Sequence, residues 1–243
     1  MKISIILPAF NEEGNIFPLV RELAETMPAL SRLGEIECVF VDDGSTDNTR
    51  AEVYEARGRH PELNVRLIAM ARNSGLTSAM NAGFGAARGE VLVTLDTDLQ
   101  NDPRDIPKLL CEVIEDRADV AIGIRANRRD TFVKRLSSKI ANGIRNWATD
   151  ENIVDTGCSL KVYRKEFVDR IKLFTGLHRF LPTLLKMEGA RVVQIPVNHR
   201  PRVHGVAKYH LFNRLIGPLM DLFAVRWMQK RNLDARWEEL DGN

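Results

Sequence analysis

Val91-Leu92-Val93-Thr94-Leu95-Asp96-Thr97-Asp98-Leu99-Gln100 is an apolar run that ends in two carboxylates two residues apart. An apolar run of this length bounded by polar residues reads as a buried strand. Side chains alternate along a strand, so Asp96 and Asp98 are expected on one side of its end. Two like charges that close are costly unless a cation neutralises them. Oxygen ligands of this kind suit Mg²⁺ or Mn²⁺, which commonly bridge one or two carboxylates to substrate phosphates. A second strand ends in the same way, at Val39-Phe40-Val41-Asp42-Asp43-Gly44-Ser45. Ligands of open α/β sheets bind at the carboxyl ends of strands, and here two such ends offer carboxylates.

Outward from these two ends, apolar runs at 3–7, 36–41, 64–70, 90–95 and 119–124 alternate with helical patterns near 13–27, 46–58, 76–87 and 103–116. That alternation predicts βαβ units around a mostly parallel, Rossmann-like sheet flanked by helices. Ser45 is expected to cap the helix after the second strand. Asp102-Pro103-Arg104-Asp105 supplies a cap, a proline at the first helical position and an acidic residue behind it. Further on, the patterns predict a basic helix at about 132–147, strands at 159–163 and 190–197, a helix near 178–188 and a last helix over 210–231. In that last pattern the weakly charged stretch Leu215–Val225 is far short of the roughly 20 residues that span a bilayer, and it contains Pro218. Its aromatic and apolar content and basic end fit an interfacial amphipathic helix, and equally a helix packed on the core.

The 44% hydrophobic and 28% charged content excludes a disordered chain, and 243 residues can bury a sizeable core. Cys38, Cys111 and Cys158 lack metal or redox spacing, so free thiols in a reducing compartment are expected. The apolar start, Ile3–Leu7, is too short for a signal peptide and runs into Pro8. The net charge of +2 hides an uneven distribution. Residues 125–145 carry seven Lys or Arg against Asp130, and 200–231 carry seven more against Asp221. Each segment is therefore +6 and the rest of the chain −10. An acidic body with two basic segments points to an anionic partner such as phosphates or a membrane surface.

Leu7-Pro8-Ala9-Phe10-Asn11-Glu12-Glu13, Val41-Asp42-Asp43-Gly44-Ser45-Thr46-Asp47 and Leu95-Asp96-Thr97-Asp98-Leu99-Gln100 resemble, in order, three signatures of family-2 glycosyltransferases. Arg72-Asn73-Ser74-Gly75-Leu76, with Ala79 and Gly83, resembles the segment between the second and third. The likeness continues through Gly123-Ile124-Arg125, Lys134-Arg135-Leu136-Ser137-Ser138, Asp155-Thr156-Gly157-Cys158 and Arg202-Val203-His204-Gly205-Val206-Ala207-Lys208-Tyr209. These segments are similar to the polyprenyl-phosphate, dolichol-phosphate mannosyltransferase-like branch. The resemblance covers roughly residues 3–210.

That resemblance implies a GT-A fold and inverting, metal-dependent transfer from a UDP- or GDP-sugar to a polyprenyl phosphate. The product would supply sugar for cell-envelope glycan or lipid modification. It implies Mg²⁺ or Mn²⁺ on Asp96, Asp98 and Gln100, and a nucleotide-sugar site made by Pro8, Ala9, Phe10, Asn11, Glu12, Asp42, Asp43, Arg72, Asn73, Gly75, Asp96 and Thr97. Arg202 and Lys208 are suited to the diphosphate, with Ala207 where the family usually has serine. Arg125, Lys134, Arg135 and Ser138 match acceptor-phosphate positions, Lys134 standing where arginine is common. Asp155 matches an acidic position that orients the acceptor or serves as base. The implied layout is a catalytic domain over 1–209, with a nucleotide-sugar half (1–124) and an acceptor half (125–209), followed by a membrane-associating helix and tail (210–243). The implied location is cytoplasmic, peripheral at the inner face of the membrane, with a membrane-protein partner or a second copy as further partners.

Other classes fit less well. Gly83-Phe84-Gly85 lacks the third glycine of a dinucleotide fingerprint and falls late in a helix pattern. No phosphate-binding P-loop pattern exists. The histidines (60, 178, 199, 204, 210) show no zinc spacing. The basic segments lack the interleaved aromatics of single-strand nucleic-acid binders, so no nucleic-acid partner is expected. A soluble or glycan acceptor would have no need of the Arg125/Lys134/Ser138 cluster. A non-catalytic nucleotide-sugar binder would tolerate loss of a metal carboxylate, and neither is lost.

Overall fold

The computed structural model describes residues 1–125, 143, 145–150, 152–201 and 216–233. Its centre is one seven-stranded sheet built from β1 (Lys2–Ala9), β2 (Glu35–Asp42), β3 (Val65–Ala69), β4 (Val91–Thr94), β5 (Val120–Arg125), β6 (Lys161–Arg164) and β7 (Val192–Val197). The order across it is β3-β2-β1-β4-β6-β5-β7. All neighbours pair in parallel except β6, which runs antiparallel to both β4 and β5. Helices α1 (Ile16–Leu30), α2 (Thr49–Arg59), α3 (Leu76–Ala86) and α4 (Ile106–Ile114) connect the first five strands. The α/β reading of the sequence is therefore correct, with every expected strand present.

Both faces of the sheet are covered, as its parallel strands require. On β1, Ile3, Ile5 and Leu7 join a core with α1 and α4, while Ile6 on the other face joins a core with α3 and the helix Leu181–Met187. Gly83 lets α3 lie close on the sheet: a Cβ there would come within 2.4 Å of Ile6 Cγ2 and 3.2 Å of Val41 Cγ2. The Gly83-Phe84-Gly85 sequence is thus a packing feature inside a helix. Cys38 and Cys158 are buried free thiols and Cys111 is half-buried.

Two local expectations are corrected. Ser45 does not cap α2. Its Oγ instead accepts the N–H of Asn11 at 2.9 Å, and Asp47 Oδ1 receives the N–H of Thr49 at 3.0 Å. The carboxylate closer to the helix start has taken the first orphan amide. Strand β4 stops at Thr94, so Asp96 and Asp98 lie in the turn beyond it. The turn is tight enough to hold Leu99 at φ +62°. Asp102 caps as expected, accepting the N–H of Arg104 at 3.1 Å, though a 3₁₀ turn at Pro103–Asp105 comes before α4.

The helix Ile216–Arg231 packs on the core along one face. Leu222 and Val225 are buried against Leu177, Phe180 and Leu184. Leu219, Met220, Phe223 and Trp227, on the same helix, are exposed. One face is core, and another is apolar and uncovered among the described residues. No described helix is long and apolar enough to cross a membrane.

Candidate active site at the carboxyl edge of the sheet

Parallel strands β1, β2, β4 and β5 all end on the same edge, and β6, running the other way, begins there. The edge therefore collects residues 8–12, 42–45, 95–101, 125 and 155–161. Cross-links hold these loops in register. Asp43 N–H donates to Ala9 O at 2.8 Å, Thr46 N–H to Asn11 Oδ1 at 2.8 Å and Glu12 N–H to Thr49 Oγ1 at 2.8 Å. Thr97 Oγ1 donates to Pro8 O at 3.0 Å, tying the acidic turn to β1. Asn11 sits at φ +51° to make this possible.

The two carboxylates after β2 are built into the protein. Asp42 is fully buried; Arg50 Nε donates to its Oδ2 and Ser45 N–H to its Oδ1 at 3.0 Å. Asp43 accepts the N–H groups of Ser74 at 2.7 Å and Gly75 at 2.8 Å. Asp43 thus clasps the start of α3 and fixes the Arg72–Gly75 loop, whose Arg72 and Asn73 are exposed. Glu12 is similarly engaged, accepting from Asn15 Nδ2 at 2.7 Å. Pro8, Phe10, Asn11 and Glu12 are half-buried on the rim and Ala9 is buried beneath them.

The Asp96/Asp98 pair has a different character. Burial, then the charge of Asp98, pushes the Asp96 carboxyl up to about 6. Asp98 is 6% exposed, so these are not the exposed charges that a strand end suggests. Gln100 supports the pair through its backbone, its N–H reaching Asp98 Oδ1 at 3.2 Å, while its side-chain Nε2 lies 3.4 Å from Arg200 O. Two crowded carboxylates, one raised by burial and by its neighbour, are a donor set that fits a hard divalent cation with its remaining ligands drawn from a diphosphate and water. Among the described residues no group of three or more His, Cys, Asp or Glu is arranged to hold a metal by itself.

Across a cavity of about 300 Å³ from Asp96 lies the 155–161 segment. Asp155 is buried and takes Arg125 in a two-pronged ion pair, Nε to Oδ2 and Nη2 to Oδ1, both at 2.7 Å. Gly157 N–H adds a bond to Oδ1 at 3.1 Å. The acceptor arginine and the candidate base of the sequence reading are therefore partners. Lys134, Arg135, Ser138, Arg202 and Lys208 lie outside the described residues.

Several site residues escape a reading by motif. Ser159 Oγ accepts Asp96 N–H at 3.2 Å and Asn101 Nδ2 at 2.7 Å, so it binds the acidic turn to the Asp155 loop. Lys161, the first residue of β6, is buried with its Nζ turned to the carbonyls of Cys158 and of Thr156, the latter at 3.5 Å. Burial lowers its affinity for a proton, and Asp96 and Asp155 raise it. A lysine inside Leu160-Lys161-Val162-Tyr163 was the available signal, because lysine is rarely buried without a partner. His178 and Arg179 complete the cavity wall, together with Leu76 and Met80 from α3.

The Glycosyl transferase family 2 profile matches residues 4–172. The chain is 36% identical over 233 residues to the dodecaprenyl-phosphate galacturonate synthase of Rhizobium johnstonii, covering 95% of this chain and 68% of that one. The chain is a family-2 glycosyltransferase. It is also 34% identical over 221 residues to the undecaprenyl-phosphate 4-deoxy-4-formamido-L-arabinose transferase of Edwardsiella ictaluri, covering 90% of this chain and 66% of the relative. The transferase thus spans about two thirds of the length of these curated relatives. Its architecture is that of solved GT-A enzymes. Glucosyl-3-phosphoglycerate synthase from Mycobacterium tuberculosis, in complex with Mn²⁺, UDP and phosphoglyceric acid, has a TM-score of 0.68 at 16% identity, covering 96% of this chain and 80% of that one. S. aureus TarS 1-349 with UDP-GlcNAc has a TM-score of 0.65 at 21% identity, covering 97% and 68%.

Proposed function

We propose that this transferase moves a sugar, with inversion, from a nucleotide-sugar to a polyprenyl phosphate. The observation that carries the reading is the closeness of two sites at one cavity: the crowded Asp96/Asp98 pair, with Asp96 raised by burial and by its neighbour, and the Asp155-held Arg125 guanidinium behind the Gly157 wall. On the donor side, Asp96 and Asp98, with Gln100 beside them, would hold Mg²⁺ or Mn²⁺. The cation supplies charge neutralisation for the departing nucleoside diphosphate. The rim residues Pro8, Ala9, Phe10, Asn11, Glu12, Arg72, Asn73 and Thr97 would line the nucleotide, with Arg202 and Lys208 on the diphosphate. The clasps of Asp42 and Asp43 support the same site by fixing the shape of its wall, and Gly75 is held by one of them.

On the acceptor side, Arg125 would meet the lipid phosphate together with Lys134, Arg135 and Ser138. A phosphate oxygen is already ionised at neutral pH and needs positioning more than a base. Asp155, committed to Arg125 on both oxygens, then acts by orienting that guanidinium. The polyprenyl-phosphate relatives support this acceptor class. The Mn²⁺ and UDP of the first fold neighbour make UDP-sugars with Mn²⁺ the first donors to test, and the galacturonate relative puts UDP-galacturonate at their head.

A lipid acceptor keeps its tail in the bilayer, so the catalytic domain, residues 1–209, would work against the cytoplasmic face. The exposed Leu219, Met220, Phe223 and Trp227, with Arg226, Lys230 and Arg231 on the same helix, support membrane contact by the 210–243 segment. A membrane protein or a second copy would compete for the same face. The test is incubation of the protein with UDP- and GDP-sugars, a polyprenyl phosphate and Mn²⁺, followed by mass detection. A polyprenyl-phosphate sugar is the expected product. Transfer only to soluble or glycan acceptors, or donor binding with no transfer to any of them, would refute the reading.

A further inference from the structure

His178 is not accounted for by either phosphate site, yet it lines the same cavity as Asp96, Lys161 and Arg179. One nitrogen of its ring is part of a short relay. Thr77, in the first turn of α3, has its Oγ1 3.1 Å from the N–H of Gly176 and 2.7 Å from His178 Nδ1. A backbone amide can only donate, so the hydroxyl oxygen accepts from Gly176. The arrangement that gives the hydroxyl proton a partner among the described residues has it donated to His178 Nδ1. With that nitrogen as acceptor, a neutral ring carries its own proton on Nε2.

The neighbourhood keeps the ring neutral. Burial, then the positive charges of Arg179 and Lys161, push His178 down to about 3. The relay is also specified locally. Gly176 adopts φ +90°, and a Cβ there would fall 2.3 Å from Asp221 Oδ2, so the turn that aims its amide at Thr77 requires glycine. No described group accepts from Nε2–H.

We propose that His178 donates a hydrogen bond from Nε2–H to an oxygen of the sugar being transferred, and that Thr77 is the positioning residue that fixes this tautomer. The assignment rests on the proposed function. With the diphosphate on the cation at Asp96 and the lipid phosphate at Arg125, which lies against Gly157 of the cavity wall, the cavity is left for the sugar. A neutral N–H suits a hydroxyl or carboxylate oxygen there, and the opposite tautomer would present a bare acceptor. A site built around such a donor discriminates against sugars that lack the matching oxygen.

The test has two arms on the intact protein. In the first, ¹⁵N-histidine NMR of the ligand-free protein should show His178 as the Nε2–H tautomer across neutral pH, and Thr77→Val should shift it toward Nδ1–H. In the second, calorimetry with Mn²⁺ compares UDP with UDP-galacturonate. His178→Phe should leave UDP affinity unchanged and weaken UDP-galacturonate roughly tenfold, the effect of one lost hydrogen bond. His178→Gln, which keeps a donor at a similar reach, should recover most of it. Should the Phe variant not fold, Thr77→Val carries the same expectation. An Nδ1–H or doubly protonated ring in the wild type would overturn the relay. Equal weakening of both ligands, or no change in either, would overturn the sugar contact. Wild-type protein that binds neither ligand would sink the uridine-donor reading together with the sugar contact, while the nitrogen spectrum still judges the relay.

Discussion

Asp96→Asn should make the metal-free protein more stable while removing its activity. The Asp96 carboxyl rises from 3.8 to about 6, chiefly through burial and then through Asp98. At about 1.4 kcal/mol per unit, this sets an upper figure of about 3 kcal/mol for the penalty of keeping it ionised at neutral pH. The carboxyl opens on the cavity, so water screens part of that. An acid with a raised folded pKa binds protons in the folded state that the unfolded chain has released. Its penalty is therefore absent below about pH 4, grows between pH 4 and 6, and is complete above. His178 acts oppositely in an overlapping window. Its pKa is depressed to about 3, so the unfolded chain takes up a proton first and stability falls as pH drops below the ordinary histidine value. Wild-type curves alone would blur the two, and the difference between wild type and Asp96→Asn isolates Asp96. The assay is urea unfolding of both proteins in EDTA from pH 4 to 7.5. The variant's advantage should open with rising pH to at most about 3 kcal/mol, and Mn²⁺ with UDP should narrow it by stabilising only the wild type. A gap that is flat with pH, or a variant less stable than wild type at pH 7, would refute the electrostatic account of this pair.

Asp98→Asn should likewise abolish glycolipid formation by mass detection, with excess EDTA doing the same to the wild type. Arg125→Ala and Asp155→Asn should both raise the acceptor KM and leave UDP binding within about twofold. The pH profile of kcat for Asp155→Asn should keep its wild-type shape, because the carboxylate orients an arginine; loss of a basic limb would restore Asp155 as a base. Asp43→Ala releases the N–H groups of Ser74 and Gly75 and should cost about 1–2 kcal/mol in urea unfolding, together with a raised donor KM. Replacing Leu219, Phe223 and Trp227 by serine should reduce flotation with anionic liposomes while leaving the melting temperature nearly unchanged, since all three are already exposed. A large loss of stability would mean that this face is covered in the native protein.

The sheet was legible because its strands are buried on both faces and read as continuous apolar runs, such as Ile3–Leu7 and Val91–Leu95, with helical periods between them. What the sequence could not display was direction and pairing. Nothing in Lys161-Val162-Tyr163-Arg164 marks β6 as antiparallel, yet that reversal brings Lys161 to the active edge. Sequence proximity also does not separate Asp42 from Asp43. Two adjacent carboxylates looked equally available, but strand alternation sends one toward Arg50 and the other toward Ser74 and Gly75. Thr77 and His178 are 101 residues apart, so only the packing of α3 against the 177–180 turn joins them.

The carboxylates of this edge therefore divide by how their charge is met. Asp42, Asp43 and Asp155 each have a cation or an amide on each oxygen, and each sets a shape: a wall, a loop, a guanidinium plane. Asp96 is held differently: its affinity for a proton is raised, because burial strips its water and Asp98 repels it. A protein that can satisfy three buried carboxylates with its own groups has the means to satisfy the fourth, and Lys161 is near enough to attract it. Instead the Lys161 ammonium is drawn to the Thr156 and Cys158 carbonyls. On the proposed function, the deficit at Asp96 is a place kept for a charge that arrives with the substrate, and its removal should stabilise the fold and end the chemistry.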